Sequence, residues 1–172
     1  MPSFISKVKK KLKSGAWYPF YNTFYEKVPV DKKEILLVSR SGLALESNIL
    51  AILKELNQPE YKEFSKVLAV QKNKKEQIQK KLERYGISVD KFVYTREPSY
   101  YYHLAKAGWL INDTTFPGRY IKKDGQTYLN VWHGTPLKRM GQDNPEERYD
   151  TGNVMRNLLQ SDYLVFPNLY ME

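Results

Sequence analysis

The chain has 172 residues, no cysteine and a formal net charge of +9. This length suits one domain built around a single core, and no apolar run approaches the roughly 18 residues that a membrane-spanning helix needs. The lack of cysteine excludes disulfides, thiolate metal sites and a cysteine nucleophile, and two histidines thirty positions apart do not form a histidine-rich metal site.

Residues 1–30 differ in composition from the rest and are predicted to be a basic, amphipathic, aromatic-rich segment at a membrane interface. Apolar residues at helical spacing would enter the lipid, and five lysines within residues 7–13 would pair with anionic headgroups. A helix packed on its own domain is the alternative. The start lacks a signal-peptide core and cleavage site, which favours a cytoplasmic protein. The predicted membrane contacts are Phe4, Lys7, Lys9, Lys10, Lys11, Lys13 and Trp17.

Residues 31–172 alternate between strand and helix signals and are predicted to form one α/β domain. Short apolar runs separated by helices indicate a parallel sheet covered on both faces. The predicted fold class is therefore a Rossmann-like parallel sheet with helices on both faces. Strands are predicted at residues 35–39, 67–70, 92–95, 109–112, 128–132 and 163–166, and helices at 45–56, 74–85, 100–107 and 154–161.

The first predicted strand runs into a turn that contains Arg40, Ser41 and Gly42. Gly42 permits tight geometry, and backbone N–H groups together with Arg40 can bind an anion there. A plain strand-to-helix connection is the commoner use of Ser and Gly and stays the alternative. The sequence contains neither the G-x-G-x-x-G nor the P-loop fingerprint, so it does not support a dinucleotide or P-loop nucleotide site.

The fourth predicted strand ends in Asn112 and Asp113, which are expected at the same edge of the sheet. Asp113 is predicted either to orient the imidazole of His133 or to cap a helix or turn, which is the commoner role of Asp before two threonines.

The most informative stretch is YLNVWHGTPLKRMG, residues 128–141. Its apolar start predicts a strand, and Thr135-Pro136 has the form of a helix cap followed by a first helical residue. Ligands bind at the carboxyl edge of open α/β sheets, where a helix amino terminus offers N–H groups to an anion. Lys138 and Arg139 add positive charge, so the stretch predicts a site for a phosphorylated substrate.

His133 is the predicted general base of this site. Its ordinary pKa of about 6.5 lets it accept a proton at neutral pH, and Gly134 directly after it indicates a close approach of the backbone. A histidine satisfied in the core is the alternative. His103 lies in a tyrosine-rich helical run and is predicted to be structural or on the surface.

Three segments together carry a family resemblance: V-S-R-S-G followed by S-N (residues 38–42 and 47–48), I-N before F-P (111–112 and 116–117), and W-H-G-T-P-L-K (132–138). In these segments the chain resembles the CDP-glycerol glycerophosphotransferases of teichoic acid synthesis. The last segment is specific, whereas the first only supports it.

The resemblance implies the amino-terminal half of a GT-B enzyme that transfers a polyol phosphate, glycerol or ribitol phosphate, from a CDP-activated donor to a hydroxyl of an acceptor, with release of CMP. In that family the histidine that matches His133 is regarded as the catalytic base, and the amino-terminal domain carries a membrane-binding surface. The second domain, with the donor site and a further catalytic histidine, is expected to begin near Glu172. This fragment alone is therefore expected to be inactive.

The expected donor substrate is CDP-glycerol or a related CDP-polyol, with no cofactor and no metal. The expected partners are a membrane-anchored polyol-phosphate acceptor, an anionic membrane surface and the carboxyl-terminal GT-B domain, but no nucleic acid. The expected location is cytoplasmic, peripheral on the inner face of the cell membrane. The predicted substrate-binding residues are Arg40, Ser41, Gly42, Asn112, Asp113, Gly134, Thr135, Lys138 and Arg139.

Two alternatives remain open. A noncatalytic module that binds membrane or acceptor would bind vesicles without any role for His133. A nucleic-acid-binding domain is suggested by the pI near 9.5 and the many aromatic residues, but no RNP1, helix-turn-helix or zinc-finger signature accompanies them.

Overall fold

A computed structural model of the chain describes residues 18–118, 120–132, 134 and 152–166. The strands are β1 (Asp31–Val38), β2 (Ser65–Val70), β3 (Lys91–Tyr94), β4 (Ala107–Asn112), β5 (Thr127–Asn130) and β6 (Tyr163–Leu164). The helices are α1 (Tyr18–Lys27), α2 (Ser47–Glu55), α3 (Lys75–Arg84), α4 (Pro98–Lys106) and α5 (Gly152–Leu159). All six predicted strands and all four predicted helices are present, with ends displaced by a few residues, and α1 is an additional helix.

The six strands form one parallel sheet in the order β3-β2-β1-β4-β5-β6. The order reverses between β1 and β4, because the chain first builds outward through β2 and β3 and then continues on the other side of β1. In open α/β sheets the ligand crevice lies outside the carboxyl ends of the strands at such a switch point. The turns that follow β1, β4 and β5 therefore mark the place where a site is expected.

The sheet is buried on both faces, because successive side chains of a strand point to opposite sides. In β1, Ile35 and Leu37 belong to one core, whereas Leu36 and Val38 belong to the other. The first core contains side chains of α2 and α3, and the second is rich in tyrosines of α1 and α4. This two-sided burial explains why the strands are short apolar runs without strict alternation.

β1 begins at Asp31, four residues before its predicted start. The extension is charged, so a search for apolar runs does not detect it. Glu34 is nevertheless only 2% exposed, because its two carboxylate oxygens lie 2.7 Å from Nδ1 of His103 and 2.6 Å from Nζ of Lys106. His103 is thus a structural residue, one of the two roles predicted for it.

α1 packs on α4 and belongs to the folded domain. Tyr21 is buried, and its hydroxyl donates a hydrogen bond to the carbonyl of Ile121 at 2.6 Å. Its ring lies 6.5 Å from that of Tyr101, and the ring of Phe24 lies 5.6 Å from that of Tyr102. The last part of the predicted membrane-interface segment is therefore a helix of the domain, whereas all seven predicted membrane contacts lie outside the described residues.

Candidate functional site at the carboxyl edge of the sheet

The turn after β1 has an unusual backbone. Arg40, Ser41 and Gly42 have φ angles of 49°, 55° and 80°. A Cβ on Gly42 would lie 2.8 Å from Cγ2 of Thr95 and 2.9 Å from the nitrogen of Gln71, so only glycine fits this position. A left-handed conformation costs a residue other than glycine roughly 1 to 2 kcal/mol, and such strain persists where the surroundings hold the backbone in place.

Asp113 holds this turn against the end of β4. Its Oδ1 accepts a hydrogen bond from the backbone nitrogen of Arg40 at 2.7 Å, and its Oδ2 accepts one from Oγ of Ser39 at 3.0 Å. Oγ of Ser41 lies 3.3 Å from Oγ1 of Thr114. The structure therefore brings five predicted substrate-binding residues together at the switch point, namely Arg40, Ser41, Gly42, Asn112 and Asp113. Asp113 holds the turn after β1, 73 positions away along the chain, and its orientation of His133 remains a prediction.

Asn112 supports the same edge from inside the fold. Its side chain is fully buried, and its Oδ1 accepts hydrogen bonds from the nitrogen of Thr114 at 2.8 Å and from its Oγ1 at 3.0 Å. Its Nδ2 has no hydrogen-bond partner in the described part of the chain. Asn112 thus shapes the turn, and its binding of substrate remains a prediction.

The end of β5 is joined to this turn through Asn130, which is fully buried. Nδ2 of Asn130 donates to the carbonyl of Thr114 at 2.9 Å and to the hydroxyl of Tyr128 at 3.0 Å, while its Oδ1 accepts from the nitrogen of Trp132 at 2.9 Å. Burial raises the pKa of Tyr128 to about 12. The turns after β1, β4 and β5 therefore form one hydrogen-bonded edge.

A second asparagine, Asn48 near the start of α2, reaches the same backbone. Its Nδ2 donates to the carbonyl of Val131 at 2.9 Å and to that of Trp132 at 3.4 Å. The site prediction included neither Asn48 nor Asn130. The one signal for Asn48 was its place in the S-N pair that contributed to the family resemblance.

His133 itself lies outside the described residues, as do Thr135, Lys138 and Arg139, and their roles remain predictions. Gly134 is described and has a φ of 135°, a backbone conformation that favours glycine. A Cβ there would meet no described residue within 4 Å. The positive φ by itself accounts for a glycine at this position. The close approach of the backbone expected there remains a prediction, because both chain neighbours of Gly134 lie outside the described residues.

The side chain of Arg40 lies exposed at this edge, and its binding of an anion remains a prediction. Its side chain is 44% exposed, and its Nε is 3.9 Å from the nearest carboxylate oxygen of Glu46, which leaves the guanidinium largely available to a ligand. Among the described residues, no group of three or more His, Asp or Glu side chains could hold a metal ion. None of the described helices is long and apolar enough to cross a membrane.

The family model described as CDP-Glycerol:Poly(glycerophosphate) glycerophosphotransferase matches residues 20–172. The chain belongs to this family. It is 28% identical over 180 residues to a teichoic acid poly(glycerol phosphate) polymerase of Bacillus subtilis. This alignment covers 96% of this chain and 23% of that protein. It is 40% identical over 74 residues to a teichoic acid glycerol-phosphate transferase of Staphylococcus aureus. That alignment covers 38% of this chain and 18% of the transferase.

Solved structures of the wall teichoic acid polymerase TagF have the same fold. One superposes with a TM-score of 0.67 at 19% identity and covers 98% of this chain. Another, from a crystal soaked with CDPG, superposes with a TM-score of 0.70 at 21% identity. These likenesses confirm the predicted Rossmann-like half of a GT-B fold. The chain spans 43% of the TagF chain and about a quarter of the B. subtilis polymerase (23%).

Proposed function

We propose that this domain is the acceptor-side wall of a teichoic-acid-type glycerophosphotransferase and that His133 is its general base. The observation that carries the proposal is the hydrogen-bonded edge at the switch point, where Asp113 holds Arg40 and Asn130 holds Trp132, the residue before His133. Membership of the glycerophosphotransferase family supplies the reaction class.

In the proposed reaction, the terminal hydroxyl of a membrane-anchored polyol-phosphate acceptor attacks the β-phosphorus of CDP-glycerol or a related CDP-polyol. His133 takes the hydroxyl proton, the new O–P bond forms, and the bond from the β-phosphorus to the bridging oxygen breaks so that CMP leaves. Arg40, Lys138 and Arg139 hold phosphate oxygens and stabilise the charge that develops during transfer.

The proposal also places the domain at the cytoplasmic face of the cell membrane, bound to anionic lipid through residues 1–17. Support comes from the basic and apolar composition of that segment. A domain that supplies the donor site is the second expected partner.

The test is His133→Ala in the native protein that carries this sequence, with CMP release from CDP-glycerol as the measurement. An oriented general base typically contributes about 10² to 10⁴-fold, so turnover should fall by at least that range. His103→Asn is the matched control. It removes the other histidine and should lower stability through Glu34 while turnover stays close to wild type. Near-wild-type turnover of His133→Ala would favour the noncatalytic binding module.

A further inference from the structure

Trp132 has a backbone conformation that its side chain does not favour. Its φ is 42°, in the left-handed region. This region costs a bulky residue roughly 1 to 2 kcal/mol, and only glycine, asparagine and aspartate enter it routinely. Some other part of the structure must therefore hold Trp132 in place.

Two side chains from different elements hold the backbone of Trp132 on both sides. Oδ1 of Asn130, at the end of β5, accepts from the Trp132 nitrogen at 2.9 Å. Nδ2 of Asn48, in the first turn of α2, donates to the carbonyls of Val131 at 2.9 Å and Trp132 at 3.4 Å. We call Asn48 and Asn130 the asparagine clamp.

The clamp acts on the peptide group that leads into the predicted base. The carbonyl carbon of Trp132 is bonded to the nitrogen of His133, and this peptide unit is planar. Hydrogen bonds to the backbone of Trp132 therefore restrict the orientation of the peptide group that joins Trp132 to His133. A general base needs this control, because a misplacement of about 1 Å can cost about 10²-fold in rate.

Both members of the clamp have firm supports. Asn130 is fully buried and its amide also donates to Thr114 and Tyr128, so its orientation is determined. Asn48 precedes Ile49, which is fully buried in the core of the α2 face. Each position uses a property of the neutral amide: Asn130 both donates and accepts, and Asn48 donates to two carbonyls.

We propose that Asn48 and Asn130 are positioning residues for the proposed base, because they fix the left-handed backbone of Trp132, the residue that precedes His133. This inference rests on the proposed role of His133. It assigns to the clamp no contact with substrate and no proton transfer.

The main test is Asn48→Ala in the native protein, because Asn48 is exposed and its loss leaves the core intact. The kcat for CMP release should fall about 10 to 100-fold, while the KM for CDP-glycerol changes less than about twofold. Asn48→Asp, which has the same shape but no amide donor, should behave like the alanine variant.

Asn57→Ala is the matched control. Asn57 lies just beyond the other end of α2, and its Nδ2 likewise donates to two carbonyls, those of Leu53 at 2.8 Å and Ser88 at 3.1 Å. A purely structural role for Asn48 predicts that both variants keep their kcat. Asn57→Ala should lose at least as much stability, because Oδ1 of Asn57 also accepts two hydrogen bonds from Ser88. A kcat of Asn48→Ala equal to that of Asn57→Ala would overturn the proposal.

A second readout does not depend on catalysis. In the 172-residue chain, amide NMR resonances of residues 131–134 should shift in Asn48→Ala and stay in place in Asn57→Ala. Unchanged resonances in Asn48→Ala would refute the clamp even if His133 proves to be the base. Full turnover of His133→Ala would instead refute the proposed function. If the resonances of Asn48→Ala shifted in that case, the asparagine clamp would hold the backbone of Trp132 but would have no role in catalysis.

Discussion

Asp113 connects the ends of two neighbouring strands through a single carboxylate. Asp113→Ala would leave the buried hydroxyl of Ser39 and the backbone nitrogen of the strained Arg40 without this acceptor. We expect a loss of roughly 1 to 3 kcal/mol in the free energy of unfolding, measured with urea. Asp113→Asn should lose less of the free energy of unfolding, because its amide oxygen can still accept a hydrogen bond from the backbone nitrogen of Arg40.

Asp90→Ala is the control for this measurement. Asp90 also accepts from a backbone nitrogen, that of Lys66 at 2.7 Å, but it lies in an exposed turn before β3. Water can replace the exposed carboxylate, so the loss should stay below about 1 kcal/mol. Equal losses in the Asp90 and Asp113 variants would contradict the view that Asp113 is the main support of the switch-point turn.

Single residues also show which parts of the site a sequence can reveal. Gly42 and Asp113 were predicted because their residue types suit turns at strand ends. The asparagine clamp was not, because Asn48 and Val131 are 83 positions apart and an isolated asparagine gives no indication of its partner. Local residue chemistry therefore indicates which turns belong to the candidate site, while tertiary contacts decide how the backbone of these turns is held.

At the scale of elements, the prediction succeeded where burial controls composition. Strands buried on both faces are continuous apolar runs, and these runs are visible in sequence. The charged start of β1 was missed because Lys32 and Lys33 are exposed and the burial of Glu34 depends on partners in α4. α1 was missed because its aromatic residues also suit a membrane interface, and the contact that anchors it joins residues 100 positions apart.

Two changes to the chain can test whether α1 belongs to the folded domain while residues 1–17 bind the membrane. Removing residues 1–17 should abolish flotation with phosphatidylglycerol vesicles, because the predicted lipid contacts are lost, but should leave the unfolding transition close to that of the whole chain. Tyr21→Ala should do the opposite. It removes a buried ring that is 3% exposed, which costs roughly 3 to 5 kcal/mol, and keeps the predicted lipid contacts. Vesicle binding that survives the deletion would contradict the interface assignment.

At the scale of the whole molecule, the two ends of the sheet have different chemistry. At the carboxyl edge, polar side chains form hydrogen bonds with the backbone of strained turns, as expected for a ligand-binding edge. On the α4 face, away from that edge, Glu34, His103 and Lys106 form a hydrogen-bonded cluster in which Glu34 and His103 are buried and Lys106 is partly exposed, with Asp31 3.3 Å from Lys106. This cluster joins β1 to the end of α4 and takes no part in the proposed reaction, so its contribution should appear in stability alone.

The pH dependence of stability should identify the contribution of Glu34. Burial by itself would raise the pKa of Glu34, but hydrogen bonds from His103 and Lys106 outweigh it and hold this pKa below its ordinary value of 4.5. A carboxyl group with a lowered folded-state pKa stabilises the fold above its unfolded pKa, and this stabilisation is lost as the pH falls through the folded value. Glu34→Gln should therefore cost roughly 1.5 to 3 kcal/mol at pH 7.

The difference in the free energy of unfolding between wild type and Glu34→Gln should then narrow in acid, as the pH falls below the ordinary pKa of 4.5 and through the lower folded-state pKa of Glu34. Asp31 and Asp162 also have lowered pKa values, but both remain in the variant, so the comparison largely cancels their titration. Glu76→Gln is the control, since Glu76 pairs with Lys80 at 2.8 Å on the exposed face of α3, where such pairs contribute little. A gap for Glu34→Gln that stays constant or widens in acid would show that the carboxylate form of Glu34 is not what stabilises this cluster.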